Sequence, residues 1–127
     1  MPLEIEERRV GAVTILDLAG NLTIDEGAQR LKDKINSLIQ EDRLAVILNL
    51  GEITYIDSGG LGQLVASFGS LSKTRGGLKL LHVNKRNHDL LSITRLVTIF
   101  DTFDSEDEAV KSFAQRPAAS PRAALAG

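Results

Sequence analysis

The apolar positions of the chain switch repeatedly between a strand period and a helix period. Leu44-Ala45-Val46-Ile47-Leu48-Asn49-Leu50 is a nearly unbroken apolar run of strand length. A strand buried on both faces reads this way, which puts it at the centre of a sheet. Upstream, Leu3, Ile5 and Glu7 alternate weakly with polar neighbours and predict an edge strand. Val10-Gly11-Ala12 is a short turn, and Val13-Thr14-Ile15-Leu16-Asp17-Leu18 alternates more clearly, with Val13, Ile15 and also Leu18 facing inward. The two segments predict an antiparallel hairpin. Gly20-Asn21 breaks the pattern. Thr23 and Glu26 then have the spacing of a capping box, predicting a helix start. Ala28, Leu31, Ile35, Leu38 and Ile39 make the apolar face of that helix.

Beyond the central run, Leu61, Leu64, Val65, Phe68 and Leu71 recur at helical spacing, and Lys73-Thr74-Arg75-Gly76-Gly77 supplies cations and glycines for the exit. Leu78 to Val83 predicts a strand, Asn87 to Leu96 a shorter helix using Leu90, Leu91 and Ile93, and Val97-Thr98-Ile99-Phe100 a last short strand. Ser105 and Glu108 form a second capping-box pair, opening a terminal helix that buries Ala109, Val110 and Phe113. The order is β-β-α-β-α-β-α-β-α, an α/β arrangement whose helical crossovers imply a partly parallel sheet. Residues 1–116 read as one domain. Residues 117–127, alanine, proline and serine without an apolar face, read as a disordered tail. Pro2, Pro117 and Pro121 all fall outside the regular elements.

Composition narrows the functional classes. At 127 residues the chain can bury one core. Lys+Arg 15 against Asp+Glu 17 leaves a net charge of −2, which argues against general nucleic-acid binding. Four Phe, one Tyr and no Trp leave few platforms for stacking bases. Absence of cysteine excludes disulfides and thiolate metal sites, and two histidines make any metal site weak. The acidic N-terminus lacks the basic flank and apolar block of a signal peptide, and no apolar run is long enough to span a bilayer. The expectation is a soluble, cytoplasmic protein without membrane insertion, cofactor or metal.

Chemistry concentrates in Tyr55-Ile56-Asp57-Ser58-Gly59-Gly60-Leu61-Gly62, the turn that feeds the central strand into a helix. Gly60-Leu61-Gly62 begins a dinucleotide fingerprint, but Val65 stands where its third glycine belongs, and the Gly-Lys-Ser/Thr of a P-loop is absent. Glycines for a tight turn and close helix packing are the simpler account. Asp57 or Ser58 could cap the helix. Ser58 could equally be a phosphoacceptor at a helix start, where backbone N–H groups tolerate added negative charge. The pattern leaves both open. A serine hydrolase with Ser58 as nucleophile, His82 or His88 as base and Asp57 or Asp89 as orienter is the enzymatic alternative. It lacks the Gly-x-Ser-x-Gly elbow, and Asp57 is too close to Ser58 to orient a histidine. On the following helix, Gly62, Ala66 and Gly69 form a stripe of small residues beside Gln63, Ser67 and Ser70. It could pack on the protein's own sheet or face a partner.

Leu48-Asn49-Leu50 followed by Tyr55-Ile56-Asp57-Ser58-x-Gly60-Leu61-Gly62 resembles the signature of STAS domains, especially bacterial anti-sigma-factor antagonists. Leu18-Ala19-Gly20-Asn21-Leu22, Gly76-Gly77-Leu78-Lys79-Leu80, Leu96 and Ile99-Phe100 extend the likeness over most of the chain. The resemblance implies a mixed sheet of about five strands flanked by about four helices. It also implies a non-catalytic switch. Unphosphorylated, such a protein binds an anti-sigma factor that doubles as an ATP-dependent serine kinase. Phosphorylation at the position of Ser58 turns binding off, and a serine phosphatase restores it. The implied partner surface comprises Thr23, Asp25, Asp57, Ser58, Gly59, Gly60, Gly62, Gln63 and Ala66, on a monomer or weak dimer. Gly59 stands where many members carry Ser or Thr, and Thr23 where several carry an acid. The alternative is a STAS adaptor that is never phosphorylated, in a signalling scaffold or beside a lipid or anion transporter, with Ser58 serving only as a cap.

Overall fold

The computed structural model describes residues 2–25 and 27–114. In chain order the elements are β1 (Glu4–Val10), β2 (Val13–Leu22), α1 (Gly27–Gln40), β3 (Ala45–Ile56) and α2 (Ser58–Ser72). Then follow β4 (Gly77–Leu81), α3 (Lys85–Ile93), a 3-10 turn (Leu96–Thr98), β5 (Asp101–Phe103) and α4 (Glu106–Ala114). The five strands lie side by side in sequence order. β1 and β2 are the antiparallel hairpin, and every later neighbour is parallel. A mixed sheet with four helices is what the apolar periods predict. Parallel neighbours need crossovers, and α1, α2 and α3 supply them.

The sheet is buried on both faces, by unequal layers. Leu16 and Leu18 of β2, Val46, Leu48 and Leu50 of β3, and Leu78 and Leu80 of β4 pack beneath Leu31 and Ile35 of α1, Leu64 and Leu71 of α2, and Leu91 of α3. Val13, Ile15, Ile47 and Leu81 make a smaller core against Ala109 of α4, with Phe103, Val110 and Phe113 beside it. Successive side chains of a strand point to opposite faces. Ile47 therefore enters one core while Val46 and Leu48 enter the other, which explains why the central run does not alternate.

Several boundaries differ from the sequence reading. Gly20-Asn21 does not break β2. The strand runs to Leu22, with register shifts against β3 between Asp17 and Ala19 and between Gly20 and Asn21. β3 likewise runs past Leu50 to Ile56. β4 stops pairing with β3 at Asn49, whereas β2 continues to Ile56, so the β2–β3 ribbon projects beyond its neighbour. The first helix begins at Gly27, with the Thr23 carbonyl accepting from the Gly27 and Ala28 N–H groups at 3.1 and 2.8 Å. Glu26 of the expected capping box lies outside the described residues, as do 115–127 and with them the predicted tail. α3 starts earlier than Asn87, capped by the Asn84 side chain, which accepts from Asn87 N–H at 2.9 Å.

The segment Val97–Phe100 is not a strand. Arg95 adopts φ +64° and ends the helix, a 3-10 turn follows, and the edge strand forms three residues later at Asp101–Phe103. The apolar residues of that segment are used on the helical side: Phe100 is buried, its ring meeting Phe68 edge-on at 5.2 Å between centroids. Ser105 does cap α4, its Oγ accepting from Glu108 N–H at 3.2 Å.

Candidate functional site

The turn after β3 holds Asp57 and Ser58, the centre of the candidate site. Asp57 has extended backbone at φ −95° and ψ −177°, so the chain leaves the strand there and enters α2 at the next residue. Asp57 is the cap: its Oδ1 accepts from Gly60 N–H at 2.8 Å. The same carboxylate reaches across to the β2–α1 loop and accepts from Ile24 N–H, at 3.1 Å to Oδ1 and 3.2 Å to Oδ2. In return, Asp57 N–H donates to the Leu22 carbonyl at 3.3 Å. The Gly60 N–H, with those of Ile24 and Gly59, stabilises the anion and holds its pKa below the ordinary carboxylate value, against an opposing contribution from desolvation.

Ser58 is the first residue of α2 and is exposed. Since Asp57 does the capping, the Ser58 hydroxyl is not needed to close the helix. Two glycines bring the loop onto this helix start. A Cβ on Gly60 would lie 1.9 Å from the Leu22 carbonyl oxygen, and one on Gly59 would lie 2.4 Å from Ile24 Cβ. Gly60 is buried beneath the expected partner surface and not part of it; the absence of a Cβ lets β2 approach.

The small-residue stripe faces away from the sheet. Gly62 and Ala66 are exposed, and a Cβ on Gly62 or Gly69 would meet nothing within 4 Å. Gln63 is half-buried and donates through Nε2 to Ser67 Oγ at 3.0 Å. Thr23 is half-buried and Asp25 exposed in the loop that contacts the turn. The structure thus gathers Thr23, Asp25, Asp57, Ser58, Gly59, Gly62, Gln63 and Ala66 on the loop, turn and outer face of α2. A histidine does not join them: among the described residues, neither His82 nor His88 bonds to Ser58 or Asp57, and the carboxylate that would orient a base is occupied by backbone donors.

Three apolar residues near the turn are exposed, and one of them, Ile93, is a residue that the sequence pattern places on the apolar face of its helix. Ile24 is 64% exposed on top of Gly59, Tyr55 is 52% exposed at the end of β3, and Ile93 is 80% exposed on α3. Tyr55, Leu90 and Ile93 line an open groove of about 370 Å³ together with the charged Arg86 and Asp89. Ile24 had one sequence signal, a lone aliphatic between polar residues in a turn. Tyr55 and Ile93 sit in strand and helix periods that hide them.

Residues 4–109 match the STAS domain family, and the chain belongs to it. It is 26% identical over 111 residues to the anti-sigma F factor antagonist of Paenibacillus polymyxa, covering 87% of this chain and 94% of that one. The crystal structure of a candidate anti-sigma factor antagonist from Thermotoga maritima superposes with a TM-score of 0.81 at 26% identity, over 87% of this chain and 95% of that one. The phosphorylated form of the Bacillus cell fate determinant SpoIIAA shares the fold at a TM-score of 0.67 and 19% identity, over 86% and 98% of the two chains.

Proposed function

We propose that this protein is an anti-sigma factor antagonist switched by phosphorylation of Ser58. The observation that carries the reading is the separation of labour at the turn: Asp57 caps the helix, leaving an exposed Ser58 hydroxyl with no structural duty. The partner is an anti-sigma factor with serine kinase activity. It transfers the γ-phosphoryl group of ATP to Ser58 Oγ: the new O–P bond forms, the β–γ anhydride bond breaks, ADP departs and the hydroxyl proton is released. A serine phosphatase hydrolyses the ester and returns the binding form. Catalysis belongs to those partners, which work in the cytoplasm, as would this chain.

Ser58, Gly62 and Ala66, with Thr23, Asp25 and Gln63 around them, make the docking surface in this reading, and the lack of side chains at Gly62 allows close approach. Phosphorylation adds about −1.5 to −2 charge. Burying that charge without a cation costs several kcal/mol, and each ~1.4 kcal/mol is tenfold in affinity. The first test is intact-mass analysis after incubation with ATP and the candidate anti-sigma kinase. Wild type should gain one phosphoryl group and Ser58→Ala none; an unmodified wild type would overturn the reading. Ser58→Asp should weaken anti-sigma factor binding by about tenfold or more with the fold intact.

A further inference from the structure

We propose that Asp57 couples charge at Ser58 to the β2–α1 loop, so that a negative group on the serine releases Ile24 from the start of α2. The proposal rests on the reading that Ser58 acquires negative charge, and it concerns what that charge moves. Within the loop, the Ile24 N–H is the group that the Asp57 side chain holds. Ile24 is 64% exposed, so its side chain buries little, and its N–H is fixed by the Asp57 carboxylate. It can lie against the helix because Gly59 lacks a Cβ. Behind it, the Thr23 carbonyl starts α1 through Gly27 and Ala28. The loop thus runs from Leu22, paired with Ile56 at the end of β2, to the start of α1, and Ile24 between these anchors is held by the Asp57 carboxylate.

A phosphate on Ser58 would stand one residue from that carboxylate. Like charges separate, and among the described residues no Lys or Arg is bonded to Asp57 or Ser58 to absorb the new charge. The phosphate oxygens would also compete for the first-turn N–H groups that Asp57 now uses. Gly60 N–H belongs to the helix, whereas Ile24 N–H belongs to a loop. The loop contact is the one that yields, and Ile24 leaves the surface that a partner of the unmodified protein would read.

Amide exchange measured by NMR on the full chain tests this without any kinase. Relative to wild type, Ser58→Glu should speed exchange of the Ile24 N–H by about tenfold or more, while the neutral Ser58→Gln stays within about twofold and Leu61 N–H remains protected. Asp57→Ala should speed Ile24 by itself, and adding Ser58→Glu to it should change nothing further. Equal Ile24 exchange in wild type and Ser58→Glu would overturn the proposal. So would equal acceleration by Gln, or a glutamate effect that survives without Asp57. A kinase-prepared phosphoprotein that keeps Ile24 protected would overturn the coupling while leaving Ser58 a phosphorylation site. Failure of any kinase to act would sink the functional reading and leave these variants to decide the coupling.

Discussion

At the scale of single residues, Asp57 and Ser58 are adjacent acceptors of similar reach with opposite duties. Asp57 is turned inward onto Gly60 and Ile24 N–H groups; Ser58 is turned out to solvent. Ser58→Ala should therefore shift unfolding free energy by no more than about 0.5 kcal/mol, whereas a capping serine would cost about 0.5–2 kcal/mol. Asp57→Ala should lower the melting temperature clearly in the same assay. The glycines divide in the same way. Gly60→Ala would drive a Cβ into the Leu22 carbonyl 1.9 Å away and should cost about 2–4 kcal/mol by denaturant titration. Gly62→Ala meets open space within the helix and should stabilise by about 0.4–1 kcal/mol. If α2 is the docking face, the same substitution weakens anti-sigma factor binding, dissociating affinity from stability.

Among the elements, β3 and α3 show how far an apolar pattern can be trusted. Leu48 of β3 is fully buried, while Ile93, at an equally apolar position of the α3 pattern, is 80% exposed. Leu48→Ala should cost about 2–5 kcal/mol and Ile93→Ala no more than about 0.5 kcal/mol in urea unfolding. The last strand teaches a related lesson. Val97–Phe100 has strand composition, yet Leu96, Val97 and Phe100 pack on the helical core. The slot beside β4 goes instead to Asp101, Thr102 and Phe103, which pair with Lys79, Leu80 and Leu81. Propensity proposed the wrong four residues because the edge of β4 and the underside of α2 compete for one apolar segment, and that competition exists only once both are folded.

For the molecule as a whole, α4 closes the second face of the sheet and is tied to the opposite edge by charge. Arg8 of β1 donates through Nε to Asp17 Oδ2 at 2.5 Å and through Nη2 to Asp17 Oδ1 at 3.0 Å and Glu106 Oε1 at 2.9 Å, while Asn49 Nδ2 donates to Asp17 Oδ1 at 2.8 Å. The Arg8 hydrogen bonds, then that of Asn49, outweigh desolvation and hold the Asp17 pKa below its ordinary value. A depressed folded value means that the unfolded chain binds the proton more readily. This stabilisation is complete above the unfolded carboxylate value of about 3.9 and disappears as pH falls through the lower folded one. Melting temperature followed below about pH 4 should therefore fall less steeply for Asp17→Asn, which starts lower at neutral pH.

The order of strands and helices, the doubly buried central strand and the Asp-Ser-Gly turn were legible in the residues because periodicity and turn chemistry are local properties of a chain. Tertiary structure alone decided where β2 and β3 end, which of two neighbouring side chains caps α2, and that Ile24 lies on Gly59. Those outcomes depend on groups far apart in sequence: the Asp57 carboxylate and the Ile24 N–H are 33 residues distant. A hydrogen bond over such a span has no period to announce it. It forms only where packing has already brought two strand ends and a helix start to the same place.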